Sequence, residues 1–298
     1  MIQPIICNES SLENKGYAGH AKGAYRCSFS FSYPWRYRVS HHKHPLTGRF
    51  LQGRLRHAIT FDERDILEGL VTRTGILQDG ELLLKRGDFC DFSSILISGY
   101  MLRTIHKDGQ RSIVGFQVEG DFVDLHAFAL KRLDHDLMAL GKAKVGYIPH
   151  ERLSEVMEDE PHLARIFWFS TLLDAAIHRE WIMKGQNLRA MARLAHLFAE
   201  LWYRLRMVDL GKSSGFQTPL QQSHLAQICG ISTVHVSRSL RDLREAGIVE
   251  FRRGRVIILD GEKLKKIGQF DPSYLYGEGG LAVGNALDKG AGEKAPIQ

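Results

Sequence analysis

The chain has 298 residues, with 40 Lys and Arg against 34 Asp and Glu, a formal net charge of +6, and 44% hydrophobic residues. That length exceeds one ordinary domain, and no apolar run approaches the ~20 residues that span a bilayer, so a two-domain protein without a membrane partner is expected. The positive charge permits an acidic partner such as nucleic acid without requiring one.

Cys7, Cys27, Cys90 and Cys229 are scattered and form no CxxC pair, which argues against a disulfide framework and a zinc site. The first residues lack the basic-then-apolar order of a secretory signal, so a cytoplasmic protein is expected.

Residues 1–43 mix Gly, Ser, Lys and His without a helical period and read as a poorly ordered extension. His41, His42 and His44 lie close together there, but no carboxylate or cysteine accompanies them, so a solvated surface cluster is expected. A short amphipathic helix follows around "ERDILEGL", its acidic first turn suiting a helix N-terminus.

Next come "ELLLKRGDF", "SSILISGYMLRTI", "RSIVGFQVEGDFVDL" and "KAKVGYIP", rich in branched and aromatic residues and broken by Gly87, Gly99, Gly109, Gly120 and Gly141. Regular short strands with glycine corners predict an antiparallel β-roll over residues 44–160. Asp108-Gly109 marks a two-residue hairpin, because Gly tolerates the positive φ such a turn demands. "HAFALKRLDHDLMALG" has a helix-like front half and interrupts the roll.

Pro161 opens a long helix through residue 186, which would extend ~36 Å if unbroken from 161 to 184. Two apolar stripes run along it, one through Ile166, Ser170, Leu173, Ile177 and Trp181, the other through Phe169, Leu172, Ala176 and Met183. One stripe would face the helix's own domain and the other a second helix, most simply that of a two-fold partner. Ile166, Phe169, Leu173, Ile177 and Trp181 are the expected dimer contacts; a core helix of a monomer is the alternative.

A second, smaller domain is expected over 187–275, starting with Met191, Leu194, Ala195, Phe198, Leu201, Trp202 and Leu205 at helical spacing. "GKSSGFQTP" reads as an exposed loop, and 276–298 as a disordered tail. Between them "QQSHLAQIC" and "TVHVSRSLRDLREAG" are two helices meeting at a corner. Ala226 stands where the helices touch, Gly230 at the turn, and Val236 where the second helix docks. Ser232 suits the N-cap of that second helix.

"GIVEFRRGRVIIL" adds two strands joined at Arg253-Gly254, a wing carrying Arg252, Arg253 and Arg255. From 212 to 271, ten Lys and Arg outnumber six Asp and Glu. Such a winged helix-turn-helix suits phosphates at the wing and base edges at the start of the second helix. Arg238 is the candidate guanine contact, and Ser237 and His235 are further base contacts. Ser232 and Thr233 would touch a phosphate or a thymine methyl, and Gln221, Gln222 and Ser223 the DNA backbone.

"RGDF…ISGYMLRTIHKDGQRSIVGFQVEGDFVDLHAF", the long helix, and "LAQICGISTVHVSRSLRDLREAGIVEFRRGRVIILD" together resemble the Crp/Fnr transcriptional regulators over about residues 44–275. The resemblance implies an α+β protein: a jelly-roll sensor like the cyclic-nucleotide-binding domain, a dimerisation helix and a winged helix-turn-helix. A homodimer would bind double-stranded DNA at a pseudo-palindromic operator, meeting RNA polymerase if it activates. It implies that Ser237 and Arg238 read bases, whereas Val234 replaces the usual glutamate three residues before that serine, so the family's commonest half-site does not carry over.

The effector pocket that the resemblance implies involves Asp124, Leu125, His126, Asp134, His178 and Arg179. Asp124-Leu125-His126 stands where cyclic-AMP-binding members carry Gly-Glu-Leu, and Leu133-Asp134 where they carry Arg-Ser, with Arg132 one place out of register. A phosphate facing Asp124, Asp134 and Asp136 is poorly held, so no cyclic nucleotide is expected. Cys7 and Cys27 cannot supply an iron-sulfur cluster. His126 matches a histidine of the haem-containing members without the cysteine two residues earlier. No cofactor and no enzymatic activity are expected. The alternatives are a haem or redox sensor using His126 or Cys90, a cupin-like metalloenzyme drawing on His106, His126 and His135, and a module that works through protein partners.

Overall fold

The computed structural model describes residues 43–277; the expectations placed on residues 1–42 and 278–298, including those for His41, His42, Cys7 and Cys27, lie outside the described residues. From Lys43 the chain runs through consecutive turns that bury Phe50, Leu51, Leu55 and Ile59. His44 is not a surface histidine: it is 4% exposed, with Nε2 2.6 Å from Asp65 Oδ1. Helix α1 (Phe61–Leu70) begins with a reciprocal cap, in which Thr60 Oγ1 accepts the Glu63 amide and the Glu63 carboxylate accepts the Thr60 amide.

Strands β1 (Arg73–Leu77), β2 (Leu82–Leu84), β3 (Phe92–Lys107), β4 (Gln110–Gln117) and β5 (Asp136–Pro149) form one antiparallel sheet of order β1-β5-β3-β4, with β2 pairing β5. β1 was absent from the sequence reading because only Leu77 in it is buried, so it shows no sustained alternation. β5 also begins earlier than "KAKVGYIP", taking in the "DLMALG" assigned to the interruption. The long strand β3 turns a corner at Gly99, where φ is 92° and a Cβ would lie 2.4 Å from the Lys142 carbonyl oxygen. Asp108 and Gly109, at φ 52° and 73°, make the expected two-residue turn between β3 and β4. Of the expected interruption only α2 (Ala127–Leu130) is helical.

Helix α3 (His150–Asp159) leads into α4 (Pro161–Asn187), and α5 (Ala190–Met207) follows a short break at Leu188 and Arg189. The residues expected as dimer contacts on α4 face the chain's own core instead. Ile166 and Leu173 are 1% and 5% exposed in the chain's own core, Ile177 and Trp181 pack against the core as well, and the Phe169 ring meets that of Tyr276 at 5.8 Å. The side of α4 left open carries Trp168, Leu172 and Ile182, at 64%, 49% and 59% exposure. A helix wrapped by its own chain on two sides has its apolar residues divided by three neighbours, which two stripes cannot describe.

The remaining elements are β6 (Gly215–Gln217), α6 (Gln222–Cys229), α7 (Thr233–Glu245), β7 (Val249–Arg252), β8 (Arg255–Ile258), α8 (Gly261–Gly268) and a 3-10 turn over Pro272–Leu275. β6 lies in the segment read as an exposed loop. It pairs with β8 and buries Phe216, whose single apolar side chain left no periodic signal. Leu275 is fully buried and Tyr276 packs on α4, so the ordered chain passes the boundary assigned to the tail.

One apolar core joins Leu102, Ile113 and Phe116 of the roll to Phe198, Leu201, Leu225 and Val236 of the C-terminal half. Fully burying side chains of this kind contributes about 1.5–3 kcal/mol each. Polar contacts cross the same seam: Tyr100 Oη donates to Gln217 O at 2.8 Å, Arg111 Nε to Gln227 Oε1 at 3.2 Å, and Arg204 Nη2 to Asp121 Oδ2 at 2.8 Å. Glu200, fully buried, accepts from Trp181 Nε1, Arg204 Nη1 and Tyr274 Oη. Burial opposes its charge, but Arg204 and Lys184 outweigh that and hold the carboxyl below its ordinary range.

Candidate nucleic-acid interface and the roll interior

Helix α6 ends at Gly230, where φ of 61° lets the chain turn and the Ile231 amide reach Ala226 O at 3.1 Å. Ser232 then caps α7: its Oγ accepts the His235 amide at 3.3 Å and lies 2.8 Å from His235 Nδ1. Val236 and Leu243 are fully buried, and Ser239 is 5% exposed, which fixes the rotation of the helix about its axis. With that face committed, Ser232, Thr233, Val234, His235, Ser237 and Arg238 stand exposed together on the other.

Their partners divide these residues. Ser232 and His235 hold each other, whereas Arg238 has no ion pair or hydrogen bond among the described residues. The acidic neighbours on α7 are occupied by Arg241, whose Nε lies 3.8 Å from Asp242 and 4.0 Å from Glu245. At the start of α6, Gln221, Gln222 and Ser223 are exposed, and the Gln221 amide donates to His224 Nδ1 at 3.1 Å.

The wing turns at Arg253-Gly254, with φ of 47° and 76°. A Cβ on Gly254 would sit 2.1 Å from Thr218 O, so only glycine lets the wing lie against the β6 side, where the Thr218 amide donates to Gly254 O at 2.8 Å. Arg252, Arg253 and Arg255 all reach solvent, Arg252 with Glu250 at 3.7 Å. Sequence reasoning missed Arg193. Its Nε, Nη1 and Nη2 donate to Leu188 O, Cys229 O and Gly185 O at 2.8, 2.9 and 2.6 Å, joining the end of α4 to the end of α6. No residue pattern signals carbonyl ligands drawn from three places in the chain.

The six residues expected to form an effector pocket sit in different surroundings. Asp124 is fully buried, accepting the Ser94 amide at 2.5 Å with its other oxygen unpartnered, and burial pushes its pKa up to about 7 despite the Ser94 bonds. Leu125 is buried in the apolar core. The His126 ring lies 5.4 Å from that of His135, tilted by 40°, and burial, with Arg103 next, brings His126 down to about 4. Asp134 points outward at 82% side-chain exposure and pairs with His135 at 2.7 Å. His178 Nδ1 lies 2.8 Å from Asp174 O on its own helix, and Arg179 is exposed.

What occupies the centre is Arg103, another residue the sequence did not flag. Its side chain is 3% exposed, donates from Nε and Nη2 to Val123 O at 3.2 and 2.8 Å, and meets Asp174 of α4 at 2.5 Å. Burial opposes the charge of Asp174, yet Arg103 and His178 outweigh it and keep the carboxyl below its usual range. An internal carboxylate therefore answers the roll's buried cation. Cys90 is 1% exposed, with its thiol pushed up by burial, and its Sγ lies 3.6 Å from Lys131 O. His106 pairs with Asp136 at 3.1 Å, and among the described residues no group of three or more His, Cys, Asp or Glu has metal-holding geometry. Among the described residues, too, no helix is long and apolar enough to cross a membrane.

Two family models match the chain, a Crp-like helix-turn-helix domain over residues 192–267 and a cyclic nucleotide-binding domain over residues 76–160, together more than half its length. The transcriptional activator protein FnrL of Cereibacter sphaeroides is 28% identical over 213 residues, covering 69% of this chain and 82% of that protein. The transcriptional activator protein anr of Pseudomonas aeruginosa is 25% identical over 210 residues, covering 70% and 85%. Among solved structures, FixK2 from Bradyrhizobium japonicum superposes with a TM-score of 0.60 at 18% identity, covering 65% of this chain and 96% of that one, which shows the fold. The roll, the long helix and the winged corner, matched in order by these models and relatives, place the chain in the Crp/Fnr family of DNA-binding transcriptional regulators.

Proposed function

We propose that the protein binds a two-fold-symmetric DNA operator as a homodimer, with the start of α7 in the major groove of each half-site. The observation that carries this reading is Arg238, exposed and without a partner among the described residues, on a helix whose rotation is set by the Ser232 cap and the buried Val236 and Leu243. Arg238 reads guanine, Ser237 and His235 contact neighbouring bases, and Thr233 and Ser232 contact a phosphate or a thymine methyl. Gln221, Gln222 and Ser223 contact the DNA backbone, and Arg252, Arg253 and Arg255 hold phosphates from the wing.

The dimer contact moves to the open side of α4. Trp168, Leu172 and Ile182 fall on one face of α4, within an arc of about 80°, which suits a helix packing against its own copy. The names of FnrL and anr, both activators, support a contact with RNA polymerase.

The Arg103–Asp174 pair and the buried Asp124 support a roll that works without a cyclic nucleotide, so that abundance of the protein sets operator occupancy. Stoichiometric binding of any cyclic nucleotide in calorimetry would remove that part of the reading. The DNA part is tested by selecting sites from a random duplex pool with the purified protein and with Arg238→Ala. A two-fold motif with half-sites about 10 base pairs apart, lost in the variant, is the expected outcome. Failure of any motif to emerge at moderate salt would sink it.

A further inference from the structure

We propose that a cleft on the roll, between the start of β1 and the β5–α3 junction, binds a small zwitterion of the amino-acid type with an aromatic or other flat apolar side chain. The cleft measures about 420 Å³ and is lined by Arg73, Phe89, Asp91, Lys131, Tyr147 and Glu151, among others. That volume falls within the range of small-molecule sites, whereas the crevices beneath α4 hold only about 20 and 10 Å³.

Both cations on its wall are held in place. The Arg73 guanidinium carbon lies 3.6 Å from the centre of the Tyr147 ring and 5.8 Å from that of Phe92. Lys131 sits in the left-handed region at φ 58°, with Nζ 3.2 Å from His150 Nδ1. His150 is 5% exposed, and its Nε2 lies 3.1 Å from Oγ of the fully buried Ser93. Burial, with Lys131 next, lowers His150 to about 4, so its neutral ring receives the ammonium and two buried polar groups serve to position one lysine.

Neither cation has a carboxylate within ion-pair distance among the described residues, and Asp91 and Glu151, on the same wall, likewise have no cation. A lining of two unpaired cations and two unpaired carboxylates is matched by a ligand carrying one charge of each sign, while a simple anion or a simple cation would also meet like charges. Phe89, 62% exposed at the same cleft, offers an aromatic face for the apolar part of such a ligand.

The test is calorimetric titration of the full chain with L-phenylalanine, 3-phenylpropanoate, which lacks the ammonium, and phenethylamine, which lacks the carboxylate. Phenylalanine is expected to bind about tenfold or more tightly than either of the others. Lys131→Gln and Glu151→Gln should each weaken it about tenfold; the exposed Glu151→Gln leaves the melting temperature in place, whereas Lys131→Gln also lowers it because the buried His150 Nδ1 loses its donor. No heat with millimolar phenylalanine, equal binding of 3-phenylpropanoate, or unchanged affinity in both variants would each overturn the proposal.

Discussion

Arg238 and Arg103 are both arginines on regular elements, and they differ in what surrounds the guanidinium. Arg238 stands exposed on α7 with no partner among the described residues, whereas Arg103 is buried on β3 with its hydrogens directed at Val123 O and the Asp174 carboxylate. An exposed arginine without a partner costs the folded state little and keeps its fork for an outside acceptor. A buried one must be satisfied from within, so its site is closed to an anion unless Asp174 leaves. The same side chain thus marks an open site at the C-terminal end of the molecule and a filled one in the roll.

Breaking the filled site should have the largest effect. Asp174→Ala leaves Arg103 buried without its counter-charge and is expected to cost about 3 kcal/mol in denaturant unfolding. The paired change Arg103→Met with Asp174→Leu should recover most of that, which separates an unpaired charge from a lost contact. Breaking the open site should cost binding and leave stability alone: Arg238→Ala is expected to lose about 1–3 kcal/mol of operator affinity in fluorescence anisotropy, with relaxed preference at one base position.

A smaller, pH-dependent effect sharpens the contrast. Asp124 titrates near 7 in the folded state against an ordinary 3.8, so the native protein keeps a proton that the unfolded chain releases between those values. Its contribution is fully present below about pH 4 and is lost as the pH rises towards 7. Asp124→Asn should therefore raise the melting temperature at pH 8 by about 3 °C or more and leave it unchanged near pH 4. His126 and His150, both near 4 when folded, act in the other direction: stability falls as the pH drops from about 6.5 towards 4. Smallest is the wing, where Arg253→Ala should weaken all sequences alike and lower the salt slope of DNA binding by about 1.

The corner was legible in the sequence because its local rules agree: Gly230 turns, Ser232 caps, Val236 docks, and a glycine makes the wing. The hairpin at Asp108-Gly109 was legible for the same reason. Arg103 and Asp174 were not, since 71 residues separate them and each alone reads as an ordinary surface charge. The faces of α4 were misread because three packing neighbours, among them the chain segment ending at Tyr276, leave no two-sided pattern. Long-range pairing and shared burial are properties of the folded chain that local periodicity does not encode.

The Arg193 clamp bears on how this molecule would change state. From α5, Arg193 grips the carbonyls of Gly185 in α4, Leu188 at the break and Cys229 at the end of α6, so the joint cannot bend slightly while keeping all three. A hinge held in this way resembles a latch more than a spring. We predict that spin labels on α4 and α7 report two separate distances whose populations trade places under any activating condition. A single distance that drifts continuously would contradict this. Replacing Arg193 with lysine, which offers a point charge in place of a fork, should blur the two positions into a broad distribution.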